Sequence, residues 1–221
     1  MTEKINGVTP QDTIKIKLPQ INFEPPKFES LFMFNKPLID EPPKPTKAQE
    51  LHEKWTKVPK QSGLSQEFFD EIEAMSKRLK CDAEDLAALM FGESQFKPNL
   101  VSADGKYKGL IQMTNASLSN SIKYSIKKYG EKSPVDKNMT MEKYLKLPRE
   151  KQLIYAEAYL DMLKDTSGLK GKMIDGGQLW TMIKSPKNVN NKKFRDKLTH
   201  TLDSLKRVPL KYETPFSLKY K

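Results

Sequence analysis

The chain has 221 residues, 37% of them hydrophobic and 30% charged, which leaves room for one domain of ordinary size plus tails and excludes a compact fold over the full length. Its net charge of +11, carried mostly by Lys, favours an anionic partner: a nucleic acid, an anionic lipid surface or an anionic wall polymer. A merely soluble, lysine-rich surface accounts for that charge equally well.

The chain shows no zinc-finger spacing, no Rossmann or Walker glycine loop and no RNA-binding aromatic signature, so nucleic acid is not the expected partner. Cys81 is the single cysteine and reads as a packed thiol. His52 and His200 are far apart in sequence and have no cysteine to support them, so neither a metal nor a cofactor is expected. The opening "MTEKINGVTPQDTIKIKL" lacks the apolar segment of a secretory signal, and no stretch approaches the ~20 apolar residues of a membrane span.

Residues 1–62 hold nine of the fifteen prolines. Segments such as "FEPPKFES" and "IDEPPKPTK" cannot sustain helix or central strand, because proline lacks a donor and constrains its predecessor. The expectation is an extended arm. Within it Ile14, Ile16 and Leu18 alternate with Lys15 and Lys17 as a short amphipathic strand, and Phe28 to Phe34 form an apolar cluster. Both fit docking on another protein, the strand by edge addition, or packing back on the domain that follows.

From Ser65 the pattern turns helical. Ser65 is a cap for a helix whose stripe is Phe68, Ile72, Met75 and Leu79, with Lys77, Arg78 and Lys80 in its last turn. Asp82 caps a helix over 83–94. Leu118, Ile122, Ile126 and Tyr129 form another stripe, closed by Gly130. Pro148 suits the first turn of a helix lined by Leu153, Ala156, Leu160 and Leu163. "GGQLWTMIK" is a short helix stopped at Ser185-Pro186, and Phe194, Leu198, Leu202 and Leu205 mark a last one. Residues 63–206 therefore read as an all-α domain of about six helices, and 207–221 as a tail.

One residue breaks the pattern. In the 83–94 helix, Leu86, Leu89 and Met90 set the apolar direction, and Glu93 follows them at helical spacing on the same face. Apolar surroundings disfavour the charged form of a carboxylate, and the negative end of the helix dipole acts in the same sense. An acid that keeps its proton is what cleavage of a glycosidic bond requires. A Glu turned outward or paired with a Lys satisfies the same spacing. Ser94 can hydrogen-bond to Glu93 or to the last carbonyls of the helix. The loop that follows supplies Gly105 and Gly109, which permit positive φ and close backbone approach to a ligand. Gln112 offers a donor and an acceptor, and Tyr107 and Phe96 offer ring faces, Phe96 being the better fit to the core.

Residues 93–112 resemble the signature of soluble lytic transglycosylases of the lysozyme-like superfamily. Glu93-Ser94 is followed by Phe96, Pro98, Ser102 and Gly105, and then by Gly109-Leu110-Ile111-Gln112. The departures are Leu100 where a small residue is usual, one extra residue within "GKYKG", and Ile111 for Met. Further on, "QLIYAEAYLDML" retains Tyr159-Leu160 of a later family helix, with Ala156 in place of Gly. The family's Ala-Tyr-Asn-x-Gly segment, which brings a tyrosine to the catalytic acid, has no match; "GGQLWTMIKSP" occupies its place, with Trp180 filling part of that role.

The resemblance implies a mainly α, lysozyme-like domain that cuts the N-acetylmuramic acid to N-acetylglucosamine β-1,4 bond of a peptidoglycan glycan strand. Glu93 would act first as general acid and then as base, giving a 1,6-anhydro product. The substrate-binding residues expected are Ser94, Ser102, Tyr107, Gly109, Gln112, Tyr159 and Trp180. Asp104 is the nearby acid that could support a hydrolytic muramidase or endolysin instead. The expected setting is a phage virion component that acts in the host periplasm or cell wall at entry, with residues 1–62 attached to other virion proteins. A non-catalytic structural virion protein is the competing class.

Overall fold

A computed structural model of the chain describes residues 43–212. The strand around Ile16, the Phe28–Phe34 cluster and residues 213–221 lie outside the described residues. The compact unit that carries the described helices starts at Lys44. It is mainly helical, with eight α-helices among the described residues: α1 (Lys47–Thr56), α2 (Gln66–Leu79), α3 (Ala83–Ser94), α4 (Asn115–Tyr129), α5 (Met141–Leu145), α6 (Arg149–Thr166), α7 (Gly176–Lys184) and α8 (Lys192–Lys206).

The caps explain the boundaries. Ser65 accepts from the Phe68 N–H to open α2, and Asp82 accepts from the Glu84 and Asp85 N–H groups to open α3. Pro148 stands one residue outside α6, as its N-cap, and Gly130 closes α4. Buried side chains of α3 point in almost every direction: Ala83, Leu86, Ala87, Ala88, Leu89 and Met90 are all inside. A helix that is apolar nearly all round is a core helix. Around it pack α1, α2, α7 and α8, while α6 joins α2, α4 and α7.

Three expectations need correction. Residues 44–62 are not all arm. Thr46 and Gln49 form a reciprocal capping box, and the Ala48, Leu51, Trp55 face of α1 is buried against the core. Proline density hid a helix whose caps are plain in "TKAQ". Tyr129 does not extend the apolar stripe of α4. It is 46% exposed and its hydroxyl donates to Asp161 at 3.1 Å, while the small Ser121 and Ser125 take the buried positions. The beginning of the tail also packs: Pro209 is buried and Val208 lies against the core.

Between α3 and α4 the chain makes a loop with two isolated antiparallel bridges, Val101 to Lys108 and Lys108 to Met113. Gln95 and Phe96 both take left-handed φ values, +54° and +59°. Such a pair in non-glycine residues persists only when neighbours enforce it. Here Phe96 is fully buried among Trp55, Phe68 and Phe91, and this anchors the sharp exit from α3.

Candidate active site

The loop is held at its far end by a glutamine. Gln152 of α6 is completely buried; its Oε1 accepts from Leu110 N–H at 3.0 Å, and its Nε2 donates to the carbonyls of Pro98 (2.8 Å) and Tyr144 (2.9 Å). Ser94 Oγ donates to Leu110 O at 2.7 Å and more weakly to Met90 O. Gly109, at φ +78°, passes so close to Tyr144 that an added Cβ would stand 2.4 Å from its ring. These three contacts pin the loop against α3, α5 and α6.

The pinned loop forms one wall of a cleft of ≈ 400 Å³. Gly92 and Glu93 come from the end of α3. Tyr107, Gln112 and Thr114 come from the loop, and Ser117 and Tyr159 from α4 and α6. Ile183 and Lys184 close it from α7. Glu93 is the carboxylate of this cleft, and its side chain is only 4% exposed. Trp180 Nε1 donates to its Oε1 at 2.6 Å, and Lys184 Nζ lies 2.8 Å from Oε1 and 2.9 Å from Oε2. Trp180 and Lys184 are four residues apart on α7, so both face Glu93. The buried carboxylate therefore has two donors rather than apolar walls alone. Both donors come from α7, an element that the spacing along α3 does not reveal.

Burial pushes the Tyr159 phenol up; the Glu93 and Tyr107 charges act in the same sense, and the Ser117 hydroxyl opposes them. Tyr159 thus enters the cleft as a neutral hydroxyl at ordinary pH, beside the carboxylate. The arrangement offers a single acid–base carboxylate, a neutral phenol, an exposed ring at Tyr107 and several hydroxyl and amide groups. That set suits a polar ligand with many hydroxyls. No comparison with protein-family models, curated proteins or solved structures gives a match.

Of the residues expected to bind substrate, Tyr107, Gln112 and Tyr159 line the cleft with Glu93. Gln112 Nε2 is engaged by Gly109 O and Leu100 O, which turns its oxygen into the free side of the amide. Trp180 is buried beneath the cleft and reaches it only through its N–H to Glu93. Ser94, Ser102 and Gly109 are not on the cleft surface. Ser94 and Gly109 hold the loop, while Ser102 accepts from Tyr107 N–H at 2.9 Å and donates to Asp104 at 2.5 Å. The Ser102 hydrogen bond leads in holding the exposed Asp104 carboxyl below its usual range. Asp104 is staple chemistry for the turn and does not line the cleft with Glu93.

Sequence reasoning missed Lys184, Ser117, Thr114 and Gln152. Lys184 had a signal, its i+4 spacing from Trp180; a buried clamp such as Gln152 has none. Cys81 is buried, and its thiol is pushed up to about 12 by that burial, which fits a packed thiol. A larger groove of ≈ 750 Å³ is lined by α2, α4 and α6, but several of its carboxylates are occupied: Glu71 and Glu157 by Arg78, and Asp161 by Lys128. No group of three His, Cys, Asp or Glu residues among those described could hold a metal, and no described helix is long and apolar enough to cross a membrane.

Proposed function

We propose that this chain is a peptidoglycan-cleaving lytic transglycosylase with a lysozyme-like helical domain, acting on the N-acetylmuramic acid to N-acetylglucosamine β-1,4 bond. The observation that carries this reading is the Glu93 side chain, 4% exposed at the end of the core helix and opening into a cleft of hydroxyl, amide and aromatic groups. The resemblance of residues 93–112 to the transglycosylase signature supports it independently. So does the absence of a second carboxylate among the cleft-lining residues, since two-carboxylate glycosidases need a partner acid at fixed separation.

In the proposed reaction Glu93 gives a proton to the leaving glycosidic oxygen as the C1–O bond breaks. It then takes the proton of the muramyl 6-hydroxyl as that oxygen closes on C1. The proton count returns to its start and the product ends in a 1,6-anhydro ring. Tyr107 suits the face of a sugar ring, and Gln112 Oε1 suits an acetamide N–H. The same reading makes the protein a phage virion component used at cell entry, drawn to the anionic wall by its net charge of +11.

The test is digestion of purified peptidoglycan by the wild type and Glu93→Gln, with mass spectrometry of the released muropeptides. Anhydro ends that disappear in Glu93→Gln are expected. Reducing ends would favour a hydrolytic muramidase. No product from a folded wild type would sink the enzyme reading. It would favour the non-catalytic, structural virion protein, for which the Lys184–Glu93 pair is the observation in favour.

A further inference from the structure

Lys184 is the one cation among the residues that line the Glu93 cleft. Its side chain is 46% exposed, against 4% for Glu93, so the ammonium stands between a buried carboxylate and solvent. An ammonium has three donor hydrogens, and the contacts of Nζ among the described residues are with the two oxygens of Glu93. At least one donor is therefore left for solvent or a ligand. Lys184 is also the last residue of α7, on a long flexible stem, whereas Trp180 one turn earlier is packed and fixed. If the ammonium leaves, Glu93 keeps its indole donor.

We propose that Lys184 is the receiving point for a carboxylate carried by the ligand, and that its transfer from Glu93 to that carboxylate frees Glu93 to face the reacting oxygen. The inference rests on the glycan-cleaving reading above and adds a specificity-determining residue to it, Lys184, for a glycan whose sugar bears an acidic branch at the cleft. Muramyl sugar has such a branch, the 3-O-lactyl group, which ends in a carboxylate or continues into a peptide with its own carboxylates. N-acetylglucosamine has none. The groups that face Glu93 are compatible with this exchange. Tyr159 on α6 and Tyr107 on the loop present phenol hydroxyls, Trp180 is an indole donor, and no other carboxylate is among the residues that line the cleft to compete for the ammonium.

The experiment is calorimetric binding of three probes to the full chain: N-acetylglucosaminyl-N-acetylmuramic acid, the same disaccharide carrying a dipeptide, and chitobiose, which is neutral. The wild type is expected to bind at least one carboxylate-bearing probe about tenfold more tightly than chitobiose, the worth of one charge-assisted contact. Lys184→Met is expected to abolish that preference and Lys184→Arg to restore most of it. A preference for both acidic probes assigns the carboxylate to the lactyl branch or its extension alike; a preference for the free lactyl form alone, or the dipeptide form alone, assigns it to that source. The wild-type preference should also fall with ionic strength, which tests the same contact if Lys184→Met is poorly folded. Equal binding of all three probes by the wild type, or a preference that survives in folded Lys184→Met, overturns the carboxylate subsite and leaves the glycan-cleaving reading standing. Failure of all three to bind the wild type overturns the carboxylate subsite, and the peptidoglycan digestion decides the glycan-cleaving reading separately.

Discussion

Asp85 and Glu93 sit near opposite ends of α3, and each is paired with a lysine from the last turn of a later helix. Lys206 of α8 lies 2.8 Å from Asp85, and Lys184 of α7 lies 2.8 Å from Glu93. The pairs are chemically alike, and both lysines also complement the negative end of their own helix. Their surroundings differ. Asp85 is wrapped by Gly176 and Leu202, and its lysine is shared with Asp203 at 2.8 Å. Burial pushes the Asp85 carboxyl up, with the Lys206 hydrogen bond opposing. Glu93 has an indole donor on one side and an open cleft on the other. A buried ion pair is weak evidence for anything by itself. What separates a structural pair from a candidate catalytic one is the room beside it and the chemistry lining that room.

The widest separation should come from neutralising each acid in turn. Glu93→Gln is expected to lower peptidoglycan clearing by at least about a hundredfold, the usual worth of a general acid, with a native circular dichroism spectrum. Asp85→Asn is expected to clear at the wild-type rate, and equal losses in the two variants would erase the distinction between the ends. The support of the open end can be broken next. Gln152→Leu leaves Leu110 N–H and the Pro98 and Tyr144 carbonyls without their partner, a loss of about 3 kcal/mol or more in urea unfolding, together with loss of clearing as the loop wall moves.

At the closed end, a Cβ on Gly176 would stand 2.4 Å from Leu202 Cδ2 and 2.8 Å from Asp85 Cγ. Gly176→Ala is expected to cost about 1–3 kcal/mol by overpacking, read as a lower Tm with clearing unchanged per folded molecule. Asp85→Asn should cost less than Gly176→Ala, since burial already opposes the Asp85 charge and Lys206 keeps Asp203.

A third carboxylate–lysine pair sets the lower limit of the comparison. Glu73 of α2 accepts from Lys77 at 2.6 Å and from the Ala48 N–H at the start of α1 at 2.8 Å. Those hydrogen bonds, Lys77 first, hold its carboxyl below the ordinary 4.5. A carboxylate lowered on folding stabilises fully above its unfolded value, and that contribution is lost as pH falls through the folded one. The α1 contact should therefore loosen in acid below about pH 4.5, and Glu73→Gln should flatten that limb of the stability–pH curve.

Much of the helical framework was legible from local chemistry. Ser65, Asp82 and Gly130 announce helix ends because their side chains or backbone freedom act within a few residues. The Phe68, Ile72, Met75 and Leu79 stripe is local for the same reason. Two helices were hidden for different causes. The prolines on both sides of "KAQELHEKWT" overshadowed its capping box, and the five residues of α5 are too short to show a period. Within the site, spacing along one helix put Glu93 on the apolar face, and the resemblance of residues 93–112 made it the candidate acid. Lys184 and Gln152 were not, because each meets its partner across two elements.

By itself the sequence determined a helical body, the placing of a carboxylate at the end of its most apolar helix, and a glycine-punctuated loop after it. These follow from caps, periodicity and turn residues, whose physics spans one or two turns of chain. Only the tertiary structure decided which residues of that loop face the cleft and which hold it in place. It moved Ser94 and Gly109 from the ligand to the scaffold, and it set Lys184 and Trp180 on Glu93. Those outcomes depend on which helices pack side by side, and burial and hydrogen bonding across such contacts leave no periodic trace along the chain.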